Sequence, residues 1–185
     1  MPPGGHEPNE DPELPSGHLD AEALFQRHAK FVARFLTRLG VQRQEIDDLV
    51  QEVFLVAHRR GGWQPGPAQP TTWLAEITLR VASSERRKTG RREARVNLDD
   101  ADAVTDASLP DDRAAANESL RRVERALADL SLDHRGVFVL FELEGQSCEE
   151  IAAGLGIPVG TVYSRLHKAR ADFKRSYEKI SGGSR

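Results

Sequence analysis

The chain has 185 residues, 38% hydrophobic and 30% charged, with 26 lysines and arginines against 29 acidic residues and a net charge of −3. No apolar run approaches the ~20 residues a membrane-spanning helix needs, and the acidic, Pro-rich start lacks the apolar core of a secretory signal. Cys148 is the only cysteine, which excludes an internal disulfide and a multi-cysteine metal site and points to a reducing, cytoplasmic setting.

Residues 1–18 are rich in Pro, Gly and Glu and read as a disordered tail. Asp20 is a good N-cap for a helix to Leu39, with Leu24, Phe31, Val32, Phe35 and Leu39 inward and Gly40 as its end. A second helix spans about Gln44 to Arg60, buried through Leu49, Val53, Phe54 and Ala57. Gly61 to Pro70 is an irregular loop, too rich in Pro and Gly for a regular element. Thr71 or Thr72 caps a third helix, Trp73 to about Lys88, buried through Leu74, Ile77 and Val81. From Thr89 to about Asp112 apolar periodicity stops and a linker is expected. A fourth helix, Ala114 to Leu130, turns Leu120, Val123, Leu127 and Leu130 inward. Ser131 caps a fifth, which carries Val137, Leu140 and Phe141 and stops at Gly145.

Ser147 to Arg170, "SCEEIAAGLGIPVGTVYSRLHKAR", then reads as a helix-turn-helix. Ser147 and Glu150 have capping-box spacing. Gly156 suits the left-handed end of the first helix, and Pro158 keeps it from resuming. In the second helix, about Val159 to Lys174, Val162, Leu166, Ala169 and Phe173 share one face. The expected fold is all-α: two small helical domains, 19–88 and 114–177, on a flexible acidic linker, 89–113, with a tail at 178–185.

The net negative charge conceals two basic patches. Arg86 to Arg95 holds six basic residues and one acidic, and Val159 to Arg175 five and one. Between them, Asn97 to Asp112 holds six aspartates and no Lys or Arg. Local charge of this kind suits phosphate backbones and predicts binding that weakens steeply with salt. The six histidines are scattered, and no phosphate loop, paired metal-ligand spacing or nucleophile motif is present. An enzyme is therefore not expected, nor a metal or a cofactor. A stand-alone DNA-binding regulator would explain the C-terminal reader, but not the blocks that precede it.

Those blocks are "DDLVQEVFLVAHRR" (Asp47 to Arg60) and "TTWLAEITLRVASSERRK" (Thr71 to Lys88). With the helix-turn-helix they resemble, in order and spacing, bacterial RNA polymerase sigma factors of the extracytoplasmic-function (ECF) subfamily. The resemblance covers roughly Leu19 to Tyr177. It implies an alternative sigma factor that binds core RNA polymerase, directs it to promoter DNA, and is held by an anti-sigma factor. Asp47, Asp48, Leu49, Gln51 and Glu52 would grip a coiled coil of the largest polymerase subunit. Their acidic and polar spacing on neighbouring turns suits a basic partner. Trp63, Arg80, Arg86, Arg87 and Lys88 would melt and hold the −10 element, Trp63 as an aromatic that can stack on a flipped base or anchor its loop. Thr161, Ser164, Arg165, His167 and Lys168 would read the −35 element, Arg165 or Lys168 reaching guanine and Thr161 and Ser164 reaching phosphate.

Two positions depart from the family pattern. Arg80 stands where relatives usually carry Asn, and Tyr163 where a basic residue is common. Arg prefers guanine or phosphate where Asn pairs with a base edge, so the −10 preference cannot be copied from relatives. Cys148 sits beside a helix N-terminus, which can lower a thiol pKa, although a small helix residue is the simpler reading. The aspartates of the linker could enter the nucleic-acid path of the polymerase or simply solvate a tether.

Overall fold

The computed structural model describes residues 17–96 and 113–182. Residues 1–16 of the expected N-terminal tail and the acidic stretch 97–112 lie outside the described residues; His18, expected in that tail, instead hydrogen-bonds the Gly61 carbonyl at 2.7 Å. All regular elements among the described residues are helical.

Helix α1 (Ala21–Arg38) starts at Asp20, whose carboxylate accepts the Ala23 N–H at 2.7 Å. A 3-10 turn at Arg43–Glu45 leads into α2 (Ile46–Arg59). Helix α3 (Pro70–Val96) is longer than the sequence suggests at both ends. It begins at Pro70 because proline has no N–H to leave unsatisfied and its φ is already helical. Thr72, one of the two expected caps, is instead inside the helix and fully buried. At the far end the helix runs past Lys88, where a linker was expected, to Val96. The Arg, Glu and Ala of that stretch favour helix on propensity, without needing an apolar stripe.

Helices α4 (Arg113–Ala128) and α5 (Leu132–Phe138) follow. Ser131 caps α5 as expected, accepting the His134 N–H, and α5 continues through one π turn at Val139–Leu143. Helix α6 (Cys148–Leu155) ends at Gly156, where φ is +65°. Helix α7 (Val159–Gly182) continues well past Lys174. Leu120, expected inward, is 56% exposed, because α4 meets the core only from its second half, through half-buried Val123 and buried Ala126 and Leu127, with Leu130 just beyond its end.

Helices α1, α2 and α3 enclose one core around Phe35, Leu36, Val53 and Leu74, and α4 to α7 enclose another around Val137, Leu140, Ile151 and Leu166. The two are continuous, because α5 and α6 pack on α3. Small residues permit that approach. A Cβ on Gly136 would lie 2.7 Å from a methyl of Leu79, and one on Gly154 would lie 2.4 Å from the Thr72 side chain. Around this seam Glu144 pairs with Arg38 and, at 3.9 Å, with Arg34. Arg135 donates to the Arg38 carbonyl, and Gln146 donates to the Thr71 hydroxyl at 3.3 Å. The halves expected to swing on a tether are therefore docked.

Candidate nucleic-acid and polymerase interfaces

The C-terminal reader is built from its caps. The Ser147 hydroxyl accepts the Glu150 N–H at 3.1 Å, and the Glu150 carboxylate accepts the Ser147 N–H at 2.8 Å. This reciprocal pair fixes the start of α6, and the left-handed turn at Gly156 aims the chain into α7. Val162, Leu166 and Ala169 are buried, which turns the opposite face of α7 outward. That face carries Gly160, Tyr163, Ser164, His167 and Lys168, all exposed and three or four positions apart. Three of the five expected −35 residues, Ser164, His167 and Lys168, thus share one solvent face. Thr161 and Arg165 are half-buried on its flank. Arg165 is held 2.9 Å from Asp133 of α5, Lys168 lies 3.3 Å from Asp172, and Ser164 donates to the Thr161 carbonyl at 3.0 Å.

Tyr163, absent from the expected reader set, stands on the same face and is 54% exposed. Its phenol donates to Glu149 at 3.2 Å, and that bond pushes the phenol pKa up. Its spacing to Ser164 and His167 could have identified it. Cys148, beneath this turn, is buried. Burial, with Glu149 beside it, pushes its thiol pKa up, opposite to the lowering that a helix N-terminus can produce.

On α2, Asp47, Asp48 and Gln51 are exposed and Glu52 is half-buried. Leu49 points into the core at 8% exposure, so its contribution to that patch is packing beneath it. The apolar side chain that does emerge there is Leu55, 48% exposed and one helical turn beyond Gln51 and Glu52. An exposed Leu at i+7 from Asp48 was legible in the sequence and was missed.

In the α2–α3 loop, Trp63 is tied down twice. Its backbone exchanges two hydrogen bonds with Leu19, at 2.8 and 2.9 Å, and its indole N–H donates to the Ala68 carbonyl at 3.0 Å. The ring lines an open cleft of about 480 Å³ with Gln64, Trp73 and, from the other half of the molecule, Ala153 of α6. Arg80 is mostly exposed and pairs with Glu76, which also holds Arg60 at 2.6 Å. Arg86, Arg87 and Lys88 are exposed on α3. Lys88 pairs with Glu85 at 3.2 Å, and Arg86 lines a second cleft between the two halves. The structure does not gather the five expected −10 residues into one spot: Trp63 lies in the loop before α3, Arg86 to Lys88 more than three turns along that helix, and Arg80 between.

Family models for sigma-70 region 2 and sigma-70 region 4 match residues 24–92 and 120–173. The chain is 30% identical to the ECF RNA polymerase sigma factor SigM of Mycobacterium tuberculosis, over 97% of this chain and 91% of that protein. The chain belongs to the ECF family of RNA polymerase sigma factors. It is also 37% identical to the RNA polymerase sigma factor CarQ of Myxococcus xanthus, over 89% of each chain. The sigma factor RpoE, solved in complex with the anti-sigma factor NepR from Bartonella quintana, superposes with a TM-score of 0.66 at 25% identity. That match covers 85% of this chain and 96% of RpoE. CnrH, solved with the cytosolic domain of CnrY, superposes with a TM-score of 0.59 at 26% identity, covering 84% and 85%. This ECF sigma factor is accordingly a transcription initiation factor and not an enzyme. Among the described residues no helix is long and apolar enough to cross a membrane.

Proposed function

We infer that this ECF sigma factor reads the −35 promoter element with the exposed face of α7. The observation that carries this is the pairing of a buried stripe (Val162, Leu166, Ala169) with an exposed polar stripe (Ser164, His167, Lys168) immediately after a helix-turn-helix bend. Thr161 and Arg165 flank it, and Arg165 must exchange Asp133 for DNA to contribute. The −10 element is read and melted by the Gly61–Pro70 loop and α3, with Trp63 as the aromatic platform and Arg80, Arg86, Arg87 and Lys88 on the phosphates. Asp47, Asp48, Gln51 and Glu52, with Leu55, dock on the largest subunit of core polymerase, in the cytoplasm.

Reading both elements requires the seam to open. Elements ~25 base pairs apart are separated by roughly 85 Å at 3.4 Å per base pair. A chain of this length folded as one body has a radius of gyration of about 16 Å. The sixteen residues 97–112 reach about 55 Å when fully extended, at 3.3–3.6 Å per residue. The seam is suited to separation. The Thr72 hydroxyl and the Gln146 amide oxygen are buried in it without a hydrogen-bond partner among the described residues, and each such group costs about 1–3 kcal/mol relative to hydration. Opening also withdraws Ala153 from the Trp63 cleft. One solved neighbour is in complex with an anti-sigma factor, and the same class of partner would hold this protein closed.

In vitro transcription with purified core polymerase on a pooled genomic template tests the reading. Transcripts that start downstream of a shared two-element motif, only when both proteins are present, are the expected result. Specific duplex binding by the chain alone, with no gain in transcription, would overturn it.

A further inference from the structure

The open cleft between the two halves is lined with arginines. It has a volume of about 740 Å³ and is lined by Arg43 and Arg86 from the N-terminal half and by Arg121, Arg125 and Arg135 from the C-terminal half. Glu124 is the only carboxylate in its lining. Arg125 is engaged by Glu118 at 3.0 Å, but no described carboxylate lies within ion-pair distance of Arg43, Arg86, Arg121 or Arg135.

Arg135 is the decisive member. It is 3% exposed, and its Nε donates to the Arg38 carbonyl. Its two terminal nitrogens make no hydrogen bond among the described residues, and they pack over Gly40, where a Cβ would come within 2.7 Å of Nη1. Burial and then the nearby Arg86 charge pull its pKa down to about 10, with the Glu124 carboxylate acting in the opposite direction. Those terminal nitrogens open onto the cleft beside other cations, an arrangement that an anion there would complement.

We propose that this cleft binds a polyphosphate chain, inorganic or at the end of a nucleotide, and that the bound anion clamps the two halves of the sigma factor together. The guanidinium fork matches phosphate oxygens in pairs. The volume lies within the 300–1,000 Å³ range of small-ligand sites. No aromatic side chain lines the cleft, so its chemistry is that of guanidinium groups and the phosphates carry the recognition. The six aspartates at 97–112 are the rival anion. They are spread from Asp99 to Asp112, whereas a tripolyphosphate concentrates its charge within a few ångströms, a better match to arginines that line one cleft.

The test is calorimetric titration of the full chain with sodium tripolyphosphate, and separately with ATP, in magnesium-free buffer, beside thermal melts. Saturable one-to-one binding and a raised melting temperature are expected. Arg86→Ala combined with Arg121→Ala, both at exposed positions, should weaken binding at least tenfold and abolish the thermal shift, and Arg43→Ala should weaken it severalfold. Arg27→Ala with Lys30→Ala, an equal charge loss on α1 remote from the cleft, should leave binding within twofold. ATP and tripolyphosphate agreeing within threefold supports recognition of the phosphate chain alone. ATP at least tenfold tighter supports the site with a nucleotide as its ligand. Absence of saturable binding, or equal loss in the α1 control, overturns the proposal. So does a tenfold gain in affinity on replacing the six aspartates with Ser, since the cleft would then belong to the chain's own acidic segment.

Discussion

Gly154 of α6 lies directly against Thr72 in the first turn of α3. Nothing larger than hydrogen fits at residue 154 while α6 is docked, because a Cβ would come within 2.4 Å of the Thr72 side chain. Ordinarily Gly to Ala in a helix stabilises it by about 0.5–1 kcal/mol. Gly154→Ala should therefore strengthen α6 while weakening the seam by about 1–3 kcal/mol of overpacking. Small-angle scattering should show a larger radius of gyration at unchanged helix content. Unchanged scattering with a raised melting temperature would show that the seam absorbs the methyl.

The exposed patch on α2 separates docking from folding. Asp48→Lys and Leu55→Ala should each weaken co-elution with core polymerase, the first by tenfold or more through like-charge contact, and neither should lower the melting temperature appreciably. Leu49→Ala removes a core side chain and should destabilise the fold by about 2–4 kcal/mol. If Asp48→Lys left polymerase binding intact, α2 would be only a solvated face.

On α7, Lys168→Ala should weaken −35 duplex binding about equally for all sequences and reduce the slope of log affinity against log salt by about 1. Asp133→Asn, which releases Arg165 from its 2.9 Å partner, should tighten binding. A reduced affinity for Asp133→Asn would mean that Asp133 positions Arg165 rather than competing with DNA for it.

Cys148 should react slowly with a thiol reagent across pH 7–9 in the folded protein and quickly once unfolded, because burial and Glu149 raise its pKa. The unfolded thiol ionises at its ordinary value near 8.5, whereas the folded one holds its proton to higher pH. This contribution to stability is therefore complete below the ordinary value and is lost as pH rises through the folded one. Cys148→Ala should flatten that alkaline decline. Rapid modification at pH 7 would contradict the burial and restore a redox role.

Much of the fold was legible in the chain because its signals are local. Asp20, Ser131 and Ser147 cap the helices they were expected to cap, since a cap is decided within four residues. The docked halves were not legible, because the signals for docking, Gly136 and Gly154, look like ordinary helix glycines until α3 is placed beside them. The readout face of α7 followed from periodicity, yet the engagement of Arg165 by Asp133 joins residues on different helices and leaves no pattern in either. Leu49 and Leu55 show what periodicity does carry within one helix. Leu49 falls on the stripe of Val53, Phe54 and Ala57 and is buried, while Leu55 falls off it and is exposed.

The order in which α3 is covered bears on synthesis. Thr72 and Leu79 acquire their neighbours from Gly154 and Gly136, residues made long after α3 has left the ribosome. Until α5 and α6 emerge, that strip has no cover from its own chain. A nascent or truncated chain ending in the acidic stretch would present it to chaperones and to other chains. Expression of the N-terminal half alone should accordingly yield a more aggregation-prone product than the full chain, and the acidic segment that follows α3 supplies like charge that would keep such chains apart while they wait.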